Sequence, residues 1–434
     1  MKCSKRLLAI TAITLINMLF VSCSSDQTIG SQRPNGNKLI FEDNTIKLMT
    51  SWGGVDSKAG VLKEIIARYQ EENPSIKISN ESIFGDEYLP TLKTRFASGN
   101  GPDVFGLWPG SDINNLIKAN KVADITDTLK QDRSWMDSFN QSSFSLTTYN
   151  NRIYGIPFEL VFEGLFINKD LFVKYKVKEP TNYNELKEAI GIFNQNGIIP
   201  IAYNSTAEGS YIYQNMVASL GGQDGVYNYL EGNKINKCYI DAMKYMKELY
   251  DLKAFPKDYI TLKSYERNEL FFSKQAAMIV QGSWFITYFT KNDESVKMIP
   301  FPSMVEGESK VPTGLGNGTF YISNNAWNTP TGVDITVKFL KYLTSKETAM
   351  YFYENTGLIS NLNIDFNTSY SALAKQSISV YRSTQEKNKT SIPDHIIDRS
   401  VWDDIVVKKF PYFLEGKMTP EEIWNNAVKN ININ

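Results

Sequence analysis

The chain has 434 residues, of which 42% are hydrophobic, and its 46 Lys and Arg nearly balance its 47 Asp and Glu. The resulting net charge of −1, without a long basic block, argues against nucleic acid or an anionic membrane surface as the main partner. One histidine and three cysteines provide neither a His pair nor a Cys cluster, so no zinc site of the usual spacing is expected.

The N-terminal residues have the pattern of an export signal. Basic residues precede an apolar run from Leu7 to Val21, and small residues follow. Phe20-Val21-Ser22-Cys23 resembles the bacterial lipobox, in which the peptide is cut before a cysteine that receives a lipid. The alternative is a transmembrane anchor, but a run of about 15 residues is short against the ~20 that span a bilayer. We therefore expect a signal peptide at 1–22, a lipid on Cys23 and a flexible linker at 23–37.

The next predicted elements form a βαβ unit. Alternating residues at 46–50 predict a strand, and Trp52-Gly53-Gly54 breaks the pattern before an amphipathic helix that contains 61–69. Asn73-Pro74 ends this helix, and a second strand is predicted at 76–78. Strands joined in this way run parallel with a right-handed crossover.

Two tryptophans directly follow predicted strands. Trp52 comes after the strand at 46–50, and Trp108 follows the short apolar segment after Pro102. In parallel α/β sheets, ligands bind outside the carboxyl ends of the strands. Both tryptophans are therefore candidates for the wall of one cleft, with packing in the core as the alternative for either.

Eight short blocks of sequence occur along the chain: WGG at 52–54, YQEENPSIKI at 69–78, FASGNGPDV at 96–104, YGIPFE at 154–159, GLFINKDLF at 164–172, FSKQAAM at 272–278, GSW at 282–284 and KMTPEE at 417–422. Together they resemble the family 1 extracellular solute-binding proteins, the lipid-anchored or periplasmic receptors of ABC sugar importers that are related to maltose-binding protein. The set is specific because the blocks occur in family order along nearly the whole chain.

The resemblance implies an α/β, two-lobed periplasmic-binding-protein (Venus flytrap) fold, with discontinuous lobes joined by three hinge crossovers. Two lobes also suit the length, because one hydrophobic core stops growing at about 250–300 residues. The crossovers are predicted near residues 154–158, 314–320 and 361–366. The N-terminal lobe is expected at 38–157 plus 318–363, and the C-terminal lobe at 158–317 plus 364–434.

The resemblance further implies a receptor that captures a carbohydrate, expected to be an oligosaccharide, and delivers it to ABC permease subunits in the membrane. We expect an exported monomer, attached to the membrane by its lipid and facing the extracellular or periplasmic side. No enzyme activity, cofactor, metal or nucleic-acid partner is expected.

A sugar offers a C–H face to an aromatic ring and a rim of hydroxyls to fixed polar groups. Trp284, after Gly282-Ser283, matches a stacking tryptophan of the family, and Trp402 lies in a segment resembling one that provides another ring. Glu159 is the first choice for the hydroxyls, because the resemblance implies that a bulky aromatic and an acid next to the first crossover face the cleft. The candidate ligand-binding residues are Trp284, Glu159, Trp52, Trp108, Trp402, Phe158, Asn317, Gly316 and Asp56. Glu81 and Glu163 are weaker candidates, and Asp103 is expected to organise a strand entry through backbone bonds.

The residues alone leave other functions open. A carboxylate pair such as Glu159 and Glu163 would suit an exported glycoside-active enzyme if the two groups lay ~5–9.5 Å apart across a scissile bond. The fold also admits peptide, phosphate or metal ligands. His395 is expected at the surface or at a helix start, and Cys238 is expected to be a buried, inert thiol without a disulfide partner.

Overall fold

The computed structural model of the protein describes residues 44–307, 309–364, 370–385 and 389–431. The predicted signal peptide, Cys23 and the linker lie outside these residues. Within the described ranges, no helix combines the length and the apolar character that crossing a bilayer requires.

Strands and helices alternate along the chain, as predicted for an α/β fold. The strands are β1 Thr45–Met49, β2 Lys77–Asn80, β3 Val104–Gly106, β4 Thr148–Tyr149, β5 Arg152–Ile153, β6 Gly155–Pro157, β7 Leu160–Asn168, β8 Ile199–Ala202, β9 Leu230–Glu231, β10 Lys234–Ile235, β11 Ala276–Gly282, β12 Val296–Ile299, β13 Val311–Leu315, β14 Thr319–Ile322 and β15 Lys389–Ser391. The helices are α1 Ala59–Glu72, α2 Tyr88–Ala97, α3 Ser111–Lys118, α4 Thr126–Gln131, α5 Arg133–Met136, α6 Lys169–Tyr175, α7 Tyr183–Gln195, α8 Tyr211–Tyr227, α9 Lys237–Asp251, α10 Ser264–Phe272, α11 Asn324–Trp327, α12 Pro330–Leu343, α13 Lys346–Thr356, α14 Ala372–Gln385, α15 Pro393–Ile396, α16 Phe410–Leu414 and α17 Pro420–Ile431.

The predicted βαβ unit is confirmed at the start of the first sheet. β1 pairs with β2 in parallel, with Ile46 opposite Ile78, and α1 connects them. The apolar face of α1 is buried, and the backbone N–H of Asn73 caps the helix by donating to the carbonyl of Tyr69. The sheet has the strand order β2-β1-β3-β14-β6, in which β14 runs antiparallel to both of its neighbours.

The second sheet is built around β7, which is buried along its whole length. Its strand order is β15-β13-β7-β11-β8, and β12 also pairs with β7. Helices α8 and α9 cover this sheet with a large apolar core, in which Cys238 is buried and a free thiol. Burial raises the pKa of this thiol to about 12, which is consistent with the predicted inert cysteine.

The chain passes between the two sheets at adjacent segments. Phe158 and Glu159 connect β6 of the first sheet to β7 of the second, and residues 316–318 return the chain from β13 to β14. The two crossovers bond to each other, because the N–H of Gly316 donates to the Glu159 carbonyl at 3.1 Å. The N–H of Asn361 donates to the Phe158 carbonyl at 2.8 Å, which places a third segment beside them. The lobe boundaries predicted from the sequence remain a proposal, and part of the third predicted crossover lies outside the described residues.

Candidate functional site

A cavity of about 300 Å³ lies between the two lobes, next to the crossovers. Its volume is at the lower end of the ~300–1,000 Å³ that is usual for small-molecule sites. Two larger depressions, of about 990 and 910 Å³, are lined by second-lobe residues and contain no predicted site residue. The interlobe cavity is therefore the candidate site. Seven of the nine candidate ligand-binding residues line it: Trp284, Glu159, Trp52, Trp108, Asn317, Gly316 and Asp56.

Trp52 forms part of the first-lobe wall, just after β1. Its ring is only 1% exposed and packs edge-on against Phe320 and Phe352, with centroid separations of 5.6 and 5.2 Å. The ammonium of Lys58 lies 5.8 Å from the Trp52 ring centroid. Trp52 thus belongs to the first-lobe core and to the cavity wall together, so little of the ring is available for stacking.

Lys58, Asp56 and Glu159 form a buried charged cluster beside Trp52. The Lys58 ammonium lies 3.2 Å from Asp56 Oδ1, and the side chains are 7% and 11% exposed. Burial raises the pKa of Glu159, and the nearby positive charge of Lys58 opposes this shift. The N–H of Gly318 donates to Glu159 Oε2 at 2.8 Å. These contacts hold the carboxylates of the cluster in fixed positions.

The second crossover needs glycine because it passes very close to Glu159. A Cβ at Gly316 would lie 2.2 Å from Glu159 Oε2, and a Cβ at Gly318 would lie 2.7 Å from the Glu159 Cβ and from the Trp52 ring. Between these glycines, the side chain of Asn317 accepts a bond from the N–H of Ser51 at 3.0 Å. Asn317 also lines the cavity, and its Nδ2 is buried without a hydrogen-bond partner among the described residues.

Trp284 lies on the second-lobe wall, in a 3-10 turn that directly follows β11. Its ring is partly exposed, and the ring of Tyr211 approaches it at 5.4 Å with an interplanar angle of 67°. A Cβ at Gly282 would lie 2.0 Å from the Trp284 ring. Glycine at this position therefore allows the ring to fold back over the end of β11 and face the cavity.

A polar network next to Trp284 positions Glu208. Arg267 is 1% exposed, and its guanidinium donates to Glu208 Oε2 at 2.7 Å. Gln281 donates to Asn268 Oδ1 at 3.2 Å, while its own Oε1 is buried and has no hydrogen-bond partner among the residues that the structure describes. Because Glu208, Gln281 and Asn268 all line the cavity, this network presents fixed acceptors beside an aromatic face.

Arg399 connects the lobes at the other end of the cavity. Its guanidinium lies over the ring of Trp108, 4.7 Å from the centroid, and its Nε is 3.1 Å from Asp112 Oδ2. Trp108 and Asp112 belong to the first lobe, whereas Arg399 also pairs within the second lobe with Asp394 and Asp403, at 3.8 and 3.5 Å. Arg399 is thus a clamp residue that pairs with acids on both sides of the cleft.

A second contact crosses the cleft near Trp284. The hydroxyl of Ser57, in the first lobe, donates to Thr287 Oγ1 at 2.6 Å, and Thr287 in turn donates to the Trp284 carbonyl at 2.7 Å. With the Arg399 contacts, this bond shows that the lobes are in a closed arrangement.

Two of the predicted site residues are not at the cleft. Trp402 is 0% exposed in the second-lobe core, where its ring stacks on Tyr213 and its Nε1 donates to Ser210 Oγ at 3.1 Å. Phe158 is also 0% exposed and packs against Phe320 in the first-lobe core. Neither ring lines the cavity, so the structure places Trp402 and Phe158 in the lobe cores and not at the candidate site.

The remaining expectations for single residues have mixed outcomes. Glu81 pairs with Arg95 away from the cavity, and Asp103 accepts a bond from the backbone of Lys47 at 2.8 Å, as expected for a strand entry. Glu163 lines the cavity. His395 lies in the first turn of α15, as expected for a helix start, but its side chain is only 10% exposed at the cavity, and burial lowers its pKa.

Sequence reasoning missed several residues of the cavity wall, namely Lys58, Glu208, Tyr211, Gln281, Asp394 and Arg399. The aromatic loops could be recognised in the sequence because tryptophans directly follow predicted strands. The polar residues, in contrast, belong to no sequence motif. Within the described ranges, no group of three or more His, Cys, Asp or Glu side chains is placed to hold a metal ion.

The chain matches the family model described as bacterial extracellular solute-binding protein over residues 55–350. The multiple sugar-binding protein of Streptococcus mutans is 21% identical over 371 residues, which cover 82% of each chain. The maltodextrin-binding protein MdxE of Bacillus subtilis is 23% identical over 81% of this chain and 79% of its own length.

A solved structure reported with xylan utilization by Caldanaerobius polysaccharolyticus superimposes with a TM-score of 0.78 at 26% identity. The match covers 89% of this chain and 100% of that one. Three observations point to the same family: the cavity between the lobes, the passage of the chain from one sheet to the other at the crossovers, and a family match over most of the chain. The chain belongs to the bacterial extracellular solute-binding proteins.

Proposed function

We propose that this protein captures a carbohydrate, expected to be an oligosaccharide, between its lobes and passes it unchanged to the membrane subunits of an ABC importer. The observation that carries the proposal is the second-lobe wall, where the partly exposed Trp284 ring stands beside the fixed carboxylate of Glu208. An aromatic face suits the C–H side of a sugar ring, and a held carboxylate suits its hydroxyls. The two relatives are named as a sugar-binding and a maltodextrin-binding protein, and these names support the same ligand class.

The finer parts of the proposal concern residues outside those described. We propose that residues 1–22 are an export signal, that Cys23 carries the lipid anchor, and that the following linker lets the lobes reach a permease. Mass spectrometry of the membrane-extracted protein tests this, because the mature chain should begin at a lipid-modified Cys23. A chain that starts at Met1 without lipid would contradict it.

A thermal-shift screen with maltotriose, xylotriose and raffinose, followed by titration calorimetry, tests which saccharide the protein binds. A ligand that binds only the folded state raises the apparent melting temperature. Trp284→Ala should weaken binding by about 1 kcal/mol, or roughly fivefold in Kd, because the stacked face is lost. Tyr412→Ala is the control, since Tyr412 is 48% exposed and does not line the cavity.

The same incubations separate a receptor from a glycoside-active enzyme. A receptor takes up saccharide in a stoichiometric amount and produces no new reducing ends. Turnover of any saccharide would contradict the proposal, as would a Trp284→Ala variant with the affinity of the unmodified protein.

A further inference from the structure

Glu163 is a buried carboxyl group in the wall of the cavity. It lies on β7 opposite Gly282 of β11, and Gly282 precedes Trp284 by only two residues. The side chain of Glu163 is 1% exposed and lines the cavity. One carboxyl oxygen, Oε2, accepts a bond from Asn215 Nδ2 at 2.8 Å. The other oxygen, Oε1, has no partner among the described residues.

The orientation of Asn215 determines which oxygen of Glu163 can carry a proton. Asn215 Nδ2 also donates to the carbonyl of Tyr211 at 2.9 Å. A backbone carbonyl can only accept, so the nitrogen of the Asn215 amide must be on this side and must donate to Oε2 as well. A proton on Glu163 would therefore reside on Oε1, the oxygen without a partner.

The surroundings of Glu163 favour the protonated acid. Burial raises its pKa well above the ordinary value, and the negative charge of Asp394 raises it further, against the opposing bond from Asn215. The other groups near this region are Tyr211 of α8, whose pKa is raised by burial, His395 of α15, whose pKa is lowered by burial, and the cation Arg399. Arg399 already pairs with Asp394 at 3.8 Å.

We propose that Glu163 binds the ligand as a neutral carboxylic acid and donates a hydrogen bond from Oε1 to a saccharide oxygen that can only accept, namely a ring or glycosidic oxygen. This proposal rests on the proposed carbohydrate function. Sugar hydroxyls can pair with donors or acceptors, whereas ring and glycosidic oxygens need a donor. Glu163 thereby joins two other donors of cavity-lining residues, Asn317 Nδ2 and Trp108 Nε1, which are likewise buried without a hydrogen-bond partner in the described part of the chain.

A neutral donor and a charged acceptor respond differently to substitution. Glu163→Gln keeps a carbonyl for Asn215 and an N–H donor toward the cavity, but it cannot ionise. Glu163→Leu removes both groups at similar volume. We expect Glu163→Gln to bind with nearly unchanged Kd and Glu163→Leu to bind at least about tenfold more weakly, because a buried polar partner is left unpaired.

The pH dependence of the saccharide Kd distinguishes this proposal from a purely structural role of Glu163, because a structural role would not make the Kd depend on the protonation of Glu163. Calorimetry with the saccharide that binds best in the screen should show wild-type binding weakening as the pH rises through the raised pKa of Glu163, because only the protonated acid can donate. Glu163→Gln should show no such step. Asp394→Asn should move the step to lower pH, because the charge that raises the pKa of Glu163 is gone. Burial also raises the pKa of Asp403, to about 6, so Asp403 is another possible source of the step. Asp403→Asn should keep the step, and this result would exclude Asp403 as its source.

The proposal is overturned if Glu163→Gln loses as much affinity as Glu163→Leu, since the group would then act as an anionic acceptor. It is also overturned if Glu163→Leu binds like the unmodified protein. Infrared difference spectroscopy of the free protein tests it without any sugar: the carboxylic acid C=O band at neutral pH should disappear in Glu163→Gln. Absence of that band overturns the protonated state, whereas failure of every saccharide to bind counts against the proposed function alone.

Discussion

Asp112→Asn tests whether the clamp formed by Arg399 holds the lobes together. Asp112 is 4% exposed, faces Arg399 across the cleft at 3.1 Å and does not line the cavity. The substitution therefore removes an interlobe ion pair without touching the ligand. The side chains of Asp112 and Arg399 are 5% and 19% exposed, so water screens this pair only partly.

The expected loss of free energy depends on the contacts that Arg399 retains after the substitution. Removing one partner of a fully buried pair costs about 3–5 kcal/mol because a charge is left uncompensated. Arg399 retains Asp394, Asp403 and the ring of Trp108, so we expect a smaller loss of about 1–2 kcal/mol from the closed state. This loss corresponds to roughly 5- to 30-fold in an equilibrium constant.

The assay combines calorimetry with small-angle X-ray scattering. If the free protein is mainly open, the whole loss appears as a weaker Kd; if it is mainly closed, the loss appears as a larger radius of gyration without ligand. Lys93→Met is the matched control, because Lys93 pairs with the same carboxylate at 2.6 Å but belongs to the first lobe. The reasoning is refuted if Asp112→Asn changes neither quantity, or if Lys93→Met changes both equally.

Two further predictions concern buried positions. Gly282→Ala should displace the Trp284 ring, which lies 2.0 Å from the new Cβ, and weaken saccharide binding about tenfold. Gly60→Ala should leave binding unchanged, because apart from its chain neighbours and its own helix backbone no atom of the described residues lies within 4 Å of the new Cβ. Equal calorimetric affinities of the two variants would show that the ring does not bind sugar. Cys238, whose pKa burial raises to about 12, should react with a chromogenic disulfide reagent only after denaturation, and rapid labelling of the native protein would contradict its inert character.

The elements of the fold were predictable where local patterns agree with the tertiary structure. The strand at 46–50, the helix with its apolar face at 61–69 and the stop at Asn73-Pro74 appear as β1, α1 and the cap on Tyr69. The tryptophans after strands were visible for the same reason, because a strand end is a local feature. The ordered family blocks added the two-lobed architecture, which periodicity alone does not specify.

The polar half of the site was not predictable because its residues come together only in the folded chain. Arg399 meets Asp112 from 287 positions away, and Arg267 reaches Glu208 through a side chain that is 1% exposed. Trp402 illustrates the opposite error. A π-helical turn at Ser400–Val406 directs its ring into the core, and a segment-level resemblance carries no information on that direction.

The distribution of fixed groups favours one order of events in binding. Glu208 is held by Arg267, and Glu163 by Asn215, through contacts that lie entirely within the second lobe and do not depend on closure. Trp284 is backed by Tyr211 of the same lobe. Much of the first-lobe wall consists of Trp52, which is 1% exposed, and the paired Asp56 and Lys58. We therefore expect the second lobe to bind the saccharide first, because its groups need no reorganisation, and the first lobe to add its contacts when Arg399 reaches Asp112.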